Sequence, residues 1–375
     1  MLTGLDEILF HQGPDPFVVV GTSDHRFFDR YWFSGLSPSG DVAFFAGTGR
    51  YPNMATRDAF LNVVIGTEQH NVRVSREIEV VSDADRPRAA VVGPFRVDVV
   101  EPFRRILLRV DDGPVRADLE FRTTWPPHLE ERHREMAGHR LVQEQTRYDQ
   151  VGEWFGWLEV AGHRTEVDAW WGDRDHSWGT RVDVGGLEPA AIRRRTGNRT
   201  LWCNFSTDLH CGLVHERTYD DARPPYLDGR IVGRDGDERF LAGLEHDVES
   251  SADGWSAARL LLRLSDGSAV EIDARPHQRR SWASRGGGYN RGFADGLGFG
   301  ARRGDVVEHD VYDLSDPGRV TMGGETIDPG HREQLARITV DGRPGWAHLP
   351  IMSRSGDMSA QHRRWSEDEK KSSAQ

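Results

Sequence analysis

Apolar residues in this chain recur at every second position, in short runs, and almost nowhere at helical spacing. "VVVGT", "DVAFFAGTG", "AFLNVVIGT", "VRVSREIEVV", "FRVDVV", "RILLRV" and "VRADLEF" follow one another through the first third. Turn signals such as "SPSGD", "DDGP", "DGR" and "SDGS" separate runs of this kind throughout. A strand turns successive side chains to opposite faces, so this pattern builds sheets with one face in a core. Turns every ten residues or so are the mark of an all-β sandwich or barrel. No long helical pattern lies between the runs, which excludes a parallel βαβ sheet.

At 375 residues the chain is long enough for two domains. Each half carries about as many runs as one closed barrel of ~8 strands needs. The expected fold is therefore two tandem antiparallel β-barrels with a few short helices. The first spans residues 1–184 and the second 198–350, with "RRRTGNR" in the linker and a polar tail over 351–375. Short helices are expected after Pro127, in "PPHLEERHREMAGHRL", and in "DPGHREQLARITV".

The net charge is −12 and the pI about 5.7. That balance argues against a nucleic-acid partner, which would require a basic face. The N-terminus carries Asp6 and Glu7 with no basic segment, so it does not read as a signal or transit peptide. No run reaches the ~20 apolar residues of an integral membrane segment. The expected compartment is cytoplasmic. The oligomeric state is open. Cys203 and Cys211 flank a hairpin turn, and in a reducing compartment they read as small buried thiols.

Chemistry concentrates in "WWGDRDHSWGTR", residues 170–181. On a strand, Asp173, Asp175 and Ser177 share one side, and Arg174, His176 and Trp178 the other. Two carboxylates on one face raise the pKa of one of them unless a cation intervenes. A carboxyl kept protonated among Trp170, Trp171 and Trp178 is a usable general acid, and the indole faces can stabilise a developing cation. The competing reading is structural: Arg174 and Arg181 pair with the aspartates while the indoles plug a barrel end. Simple ligand binding is a third. Tyr31 lies on the aromatic face of a hairpin that ends at Tyr51, Pro52 and Asn53; Asn53 could cap that turn or bond across a barrel mouth. "RGGGYNRGFADGLGFG" has neither nucleotide-binding glycine spacing nor a following lysine. It reads as a flexible lid with Tyr289 and Asn290 at its tip. His128, His133 and His139 are five and six apart, which is not metal-ligand spacing on a helix, so neither a metal nor a cofactor is expected.

Taken together, "RYWFSGLSPSGDVAFFAGTGRYPN", "LVQEQTRYDQVGEWFGWLEVAGHRTEVDAWWGDRDHSWGTR" and "GFADGLGFGARRGDVVEHDVYDL" resemble a bacterial group related to carotenoid 1,2-hydratase (hydroxyneurosporene synthase). The resemblance spans about residues 15–350, and "RDHSWGTR" is its most specific element. It implies two tandem lipocalin-like barrels and a hydrophobic, unsaturated, terpenoid- or lipid-like substrate handled without a cofactor. The superfamily also resembles tocopherol-cyclase-like and pericyclase-type proteins. The chemistry implied is that of a hydro-lyase or isomerase: an acid, Asp173 or Asp175, protonates an alkene and water captures the cation, with His176 as orienter. The alternative is a lipocalin-type carrier that holds an apolar small molecule unchanged.

Overall fold

A computed structural model of the chain describes residues 14–17, 19–78, 89–182, 184–185, 197–221, 223–289, 292–293 and 295–354. The N-terminal thirteen residues, most of the expected linker, Asn290 and the tail from residue 355 lie outside the described residues. The fold is all-β: one unit is a large curled antiparallel sheet and the other an eight-stranded antiparallel barrel. In chain order the strands are β1 Phe27–Leu36, β2 Val42–Tyr51, β3 Thr56–Ile65, β4 Glu68–Glu77, β5 Ala89–Val92, β6 Phe95–Glu101, β7 Arg105–Val110, β8 Val115–Arg122, β9 His128–Leu129, β10 His133–Ala137, β11 Arg140–Val160 and β12 His163–Thr180. They continue as β13 Asn198–Thr207, β14 His210–Tyr219, β15 Tyr226–Gly233, β16 Glu238–Ser251, β17 Gly254–Leu264, β18 Ala269–Pro276, β19 Trp282–Ala283, β20 Val307–Asp313, β21 Val320–Met322, β22 Glu325–Ile327, β23 Arg332–Glu333, β24 Leu335–Val340, β25 Arg343–His348 and β26 Ile351–Arg354.

One unit comprises Met1–Leu187, Ser284–Ser315 and Val320–Gly330. Its sheet runs β22-β21-β20-β4-β3-β2-β1-β12-β11-β8-β7-β6-β5 and curls until β5 lies against β3 and β4. It wraps one apolar core that includes Phe33, Phe44, Leu61, Val72, Leu119, Phe121, Trp154 and Trp170. The other unit comprises Glu188–Ala283, Asp316–Arg319 and His331–Gln375. Here β13, β14, β15, β16, β17, β18, β24 and β25 close into an eight-stranded antiparallel barrel, because β13 pairs with both β14 and β25. Its core holds Leu201, Phe205, Trp255, Leu260, Leu262 and Ile272.

Turn chemistry fits the hairpins. Ala161 and Gly162 (φ 49° and 83°) join β11 to β12, and Asp341 and Gly342 (φ 48° and 79°) join β24 to β25. Both are two-residue turns with positive φ at each central position, which match the twist of the flanking strands.

Several expectations require correction. Residues 284–315 and 320–330, expected in the second barrel, belong to the first unit, where β20 pairs with β4 and so covers what would be an open sheet edge. The segment after Pro127 forms β9 and β10, not a helix: both pair with the overhanging length of β11, and ladder formation overrides helix propensity. "DPGHREQLARITV" likewise holds β23 and β24. Among the described residues, helix is confined to two 3₁₀ turns, Pro52–Met54 and Ser284–Gly287. Residues 351–354, assigned to the tail, are β26, which pairs with β13. Cys203 and Cys211 are buried and form no disulfide; the β13–β14 turn centres on Asp208 and Leu209, so Cys203 opposes Val214. No helix among the described residues is long and apolar enough to cross a membrane.

Candidate functional site

Three adjacent strands, β1, β12 and β11, carry side chains in register rows on the face that continues the first unit's core. At the bottom, Gly35, Gly172 and Gly152 oppose one another. A Cβ at Gly172 would stand 2.3 Å from Trp154 Nε1, and one at Gly35 would stand 2.2 Å from the Phe44 ring. The bare row lets Phe44 pack edge to face and Phe121 pack tilted against Trp154, each at 5.1 Å between centroids. Trp154 donates its indole N–H to Ser34 O at 2.7 Å. This aromatic plug is the floor of the site.

Phe33, Arg174 and Gln150 form the next row. Arg174 is 2% exposed, and its Nε and Nη2 donate to Gln150 Oε1 at 3.1 and 2.9 Å. Its guanidinium carbon lies 5.1 Å from the centre of the Tyr148 ring. Among the described residues no carboxylate forms an ion pair with it. A buried guanidinium with only a neutral amide and a phenol beside it is costly, and such charges are ordinarily paired.

Above it stand Tyr31, His176 and Tyr148, and then Asp29 and Trp178. The imidazole of His176 bridges Asp29 Oδ1 at 2.7 Å through Nε2 and the Tyr148 hydroxyl at 3.3 Å through Nδ1. Its ring packs against Tyr31 at 4.5 Å, Trp178 at 5.2 Å and Tyr148 at 5.3 Å. Burial pushes the Tyr31 phenol up to about 12, with help from the charge on Asp29. Burial also raises Tyr148, against the opposing pull of Arg174. Both therefore remain protonated donors at neutral pH. A carboxylate, an imidazole and a phenol in sequence, with a buried cation behind the phenol, can move a proton and bear negative charge on an oxygen.

Asp173 and Asp175 point the other way. Asp173 is fully buried and accepts a hydrogen bond from the Ser34 hydroxyl. Asp175 joins a cluster with Glu130, Arg147 and Asp149. Arg147 Nε donates to Glu130 Oε1 at 3.0 Å and lies 3.6 Å from Asp149 Oδ1. Asp149 faces Asp175 across β11 and β12, and neither of its carboxyl oxygens has a hydrogen-bond partner. Burial, then Glu130, drive Asp149 well above the ordinary carboxylate range, and burial raises Asp175 in the same direction. Trp171 shares this side of β12, but Trp170 is in the apolar core and Trp178 is beside His176. The indoles and the aspartates expected to line one pocket are therefore divided between the two faces of a strand.

The remaining sequence-derived candidates sit elsewhere. Tyr51 is fully buried; its hydroxyl accepts from Arg30 Nη1 at 2.7 Å and donates to Asp58 Oδ1 at 3.1 Å. Asn53 donates to the carbonyls of Thr22 and Asp24, each at 2.8 Å. Tyr289 packs edge-on against Phe299 at 4.7 Å. The glycine-rich stretch expected to be a lid is packed down: Gly286 accepts from Asn62 Nδ2 at 2.9 Å, and Ser284, Gly287, Phe293 and Phe299 are buried. Among the described residues no group of three His, Cys, Asp or Glu side chains is placed to hold a metal ion. Sequence reasoning missed Asp29, Tyr148, Gln150 and Arg147. Their only signal was cross-strand register, which a single strand's alternation does not carry.

Several solved structures resemble the chain. CghA is 12% identical with a TM-score of 0.50, over 88% of this chain and 89% of that one. CghA with Sch210972 is 10% identical with a TM-score of 0.49, over 88% and 89%. Kievitone hydratase from Nectria haematococca is 11% identical with a TM-score of 0.49, over 91% and 94%. The likeness to CghA speaks for the fold alone. No curated protein matches the sequence. A family model described as a family of unknown function, DUF8625, matches residues 2–316, and the chain belongs to that family.

Proposed function

We propose that the protein is a cofactor-independent acid–base enzyme that adds water to, or removes it from, a hydrophobic unsaturated substrate of terpenoid- or lipid-like character. One observation carries this reading: His176 is held between Asp29 and Tyr148, directly above a buried Arg174 that has no counter-carboxylate among the described residues. In the dehydration direction His176, steadied by Asp29, takes a proton from the carbon next to a carbonyl. Tyr148 gives its proton to the departing hydroxyl, which leaves as water while the carbon–carbon double bond forms. Hydration is the reverse. Arg174 reduces the cost of negative charge on Tyr148 or on the substrate oxygen, Tyr31 donates to that oxygen, and the Trp178 face covers the reacting carbons. The proton is thus assigned to His176 and Tyr148 and to neither Asp173 nor Asp175, which share no face with the rings. Hydratase-type chemistry is also what the sequence resemblance implies.

The test incubates the protein with a panel of apolar β-hydroxy ketones, enones and allylic alcohols and reads product mass. A change of one water, lost in His176→Gln and Tyr148→Phe and retained in Asp173→Asn and Asp175→Asn, is expected. A co-purified apolar molecule released unchanged, with no turnover across the panel, would establish a carrier instead.

A further inference from the structure

The turn between β6 and β7 reads Glu101-Pro102-Phe103-Arg104, and Arg104 N–H closes it onto Glu101 O at 3.0 Å. Phe103 has φ 61°. Proline followed by a residue at positive φ is the type II pattern, in which the second central position belongs to glycine or asparagine. Among the described residues, the other non-glycine residues at positive φ are three alanines and one aspartate, namely Ala55, Ala161, Ala169 and Asp341. An aromatic residue is a true outlier there, and outliers of this kind concentrate at functional sites.

The ring held in this strained position is not core: it is 47% exposed. Its edge contacts Tyr148, 5.5 Å between centroids. Its carbonyl accepts from Gln150 Nε2 at 2.8 Å, and the same side chain accepts from Arg174. The turn is therefore tied to the two residues beneath the reacting phenol. On the other flank, Leu129 opposes Tyr148 across β9 and β11, so the two side chains share a face, and Leu129 is 64% exposed. Two exposed apolar side chains, one on a turn and one on the short strand β9, thus lie beside Tyr148, whose hydroxyl contacts His176.

We infer that Phe103 and Leu129 are specificity-determining residues: they form an apolar rim that grips the hydrocarbon part of the substrate while its oxygen-bearing end reaches Tyr148 and His176. This rests on the reading of His176 and Tyr148 as the reacting centre. The rim selects extended apolar unsaturated molecules over small polar ones, because a short substrate would leave both side chains in water.

Equilibrium binding of all-trans-retinol, followed by quenching of tryptophan emission, tests the rim without requiring turnover. The wild type is expected to bind in the micromolar range. Phe103→Gly, which suits the turn, and Leu129→Ser, which alters an exposed position, are each expected to weaken binding tenfold or more, whereas Leu129→Met preserves it. Thermal melts confirm that each variant is folded. Wild-type binding that is absent, or equal affinity in wild type and Phe103→Gly, overturns the inference. Absence of turnover on the hydration panel, with the binding losses intact, would remove the acid–base reading and leave the rim standing.

Discussion

Replacing Phe103 by glycine and by alanine separates backbone strain from ring packing. Both variants lose the same half-exposed ring and its contact with Tyr148, so that loss cancels between them. Alanine retains the steric cost of a left-handed residue, about 1–2 kcal/mol. Glycine removes it but gives the unfolded chain extra freedom worth about 0.5–1 kcal/mol. The net advantage of the glycine variant is roughly 0.8 kcal/mol, the difference of the two midpoints. At about 2–4 °C per kcal/mol for a unit of 150–250 residues, Phe103→Gly should melt about 2 °C above Phe103→Ala. Thermal unfolding followed by circular dichroism, with both variants in one buffer, reads this directly. An alanine variant that melts at or above the glycine variant would show that position 103 is not left-handed, and the argument for a strained functional turn would fall.

Other outcomes follow from buried ionisable groups. Asp149 has a folded-state pKa raised above its unfolded value by burial and Glu130, so its favourable contribution is complete below the ordinary value of about 3.9 and is lost as pH rises through the folded value. Asp149→Asn should therefore raise the melting temperature, and by more at pH 8 than at pH 5; an equal shift at both would contradict it. In the second unit, burial pushes Glu333 up, but His331 and His348 outweigh this and bring it from 4.5 to about 2. His348 Nε2 lies 2.9 Å from Glu333 Oε2. That contribution is present above the unfolded value and lost as pH falls through about 2, so Glu333→Gln should cost about 3 kcal/mol near pH 6 and progressively less in acid, as measured by urea denaturation. Burial pushes the Cys211 thiol up to about 12, and Cys203 is fully buried. Neither should react with a thiol reagent such as DTNB until urea unfolds the chain, and rapid native labelling would contradict the placement.

The sequence by itself determined that the chain is built from strands and which side chains of each strand share a side. Period-two alternation and Gly- or Asp-marked turns are local properties, so the separation of Asp173 and Asp175 from His176 and Trp178 was legible in twelve residues. It also marked His176, Trp178 and Tyr31 as candidates. Only the tertiary structure decided which face of β12 meets which neighbours. Cross-strand register brings Asp29 from 147 positions away to His176, and it places Tyr148, Gln150 and Arg174 in one stack that no linear spacing displays. Tertiary pairing likewise turned the residues after Pro127 into strands and returned residues 307–313 to the edge of the first sheet. Hydrogen-bonded ladders satisfy backbone groups between segments distant in sequence, and the energy of that pairing exceeds the weak local preferences that a sequence carries.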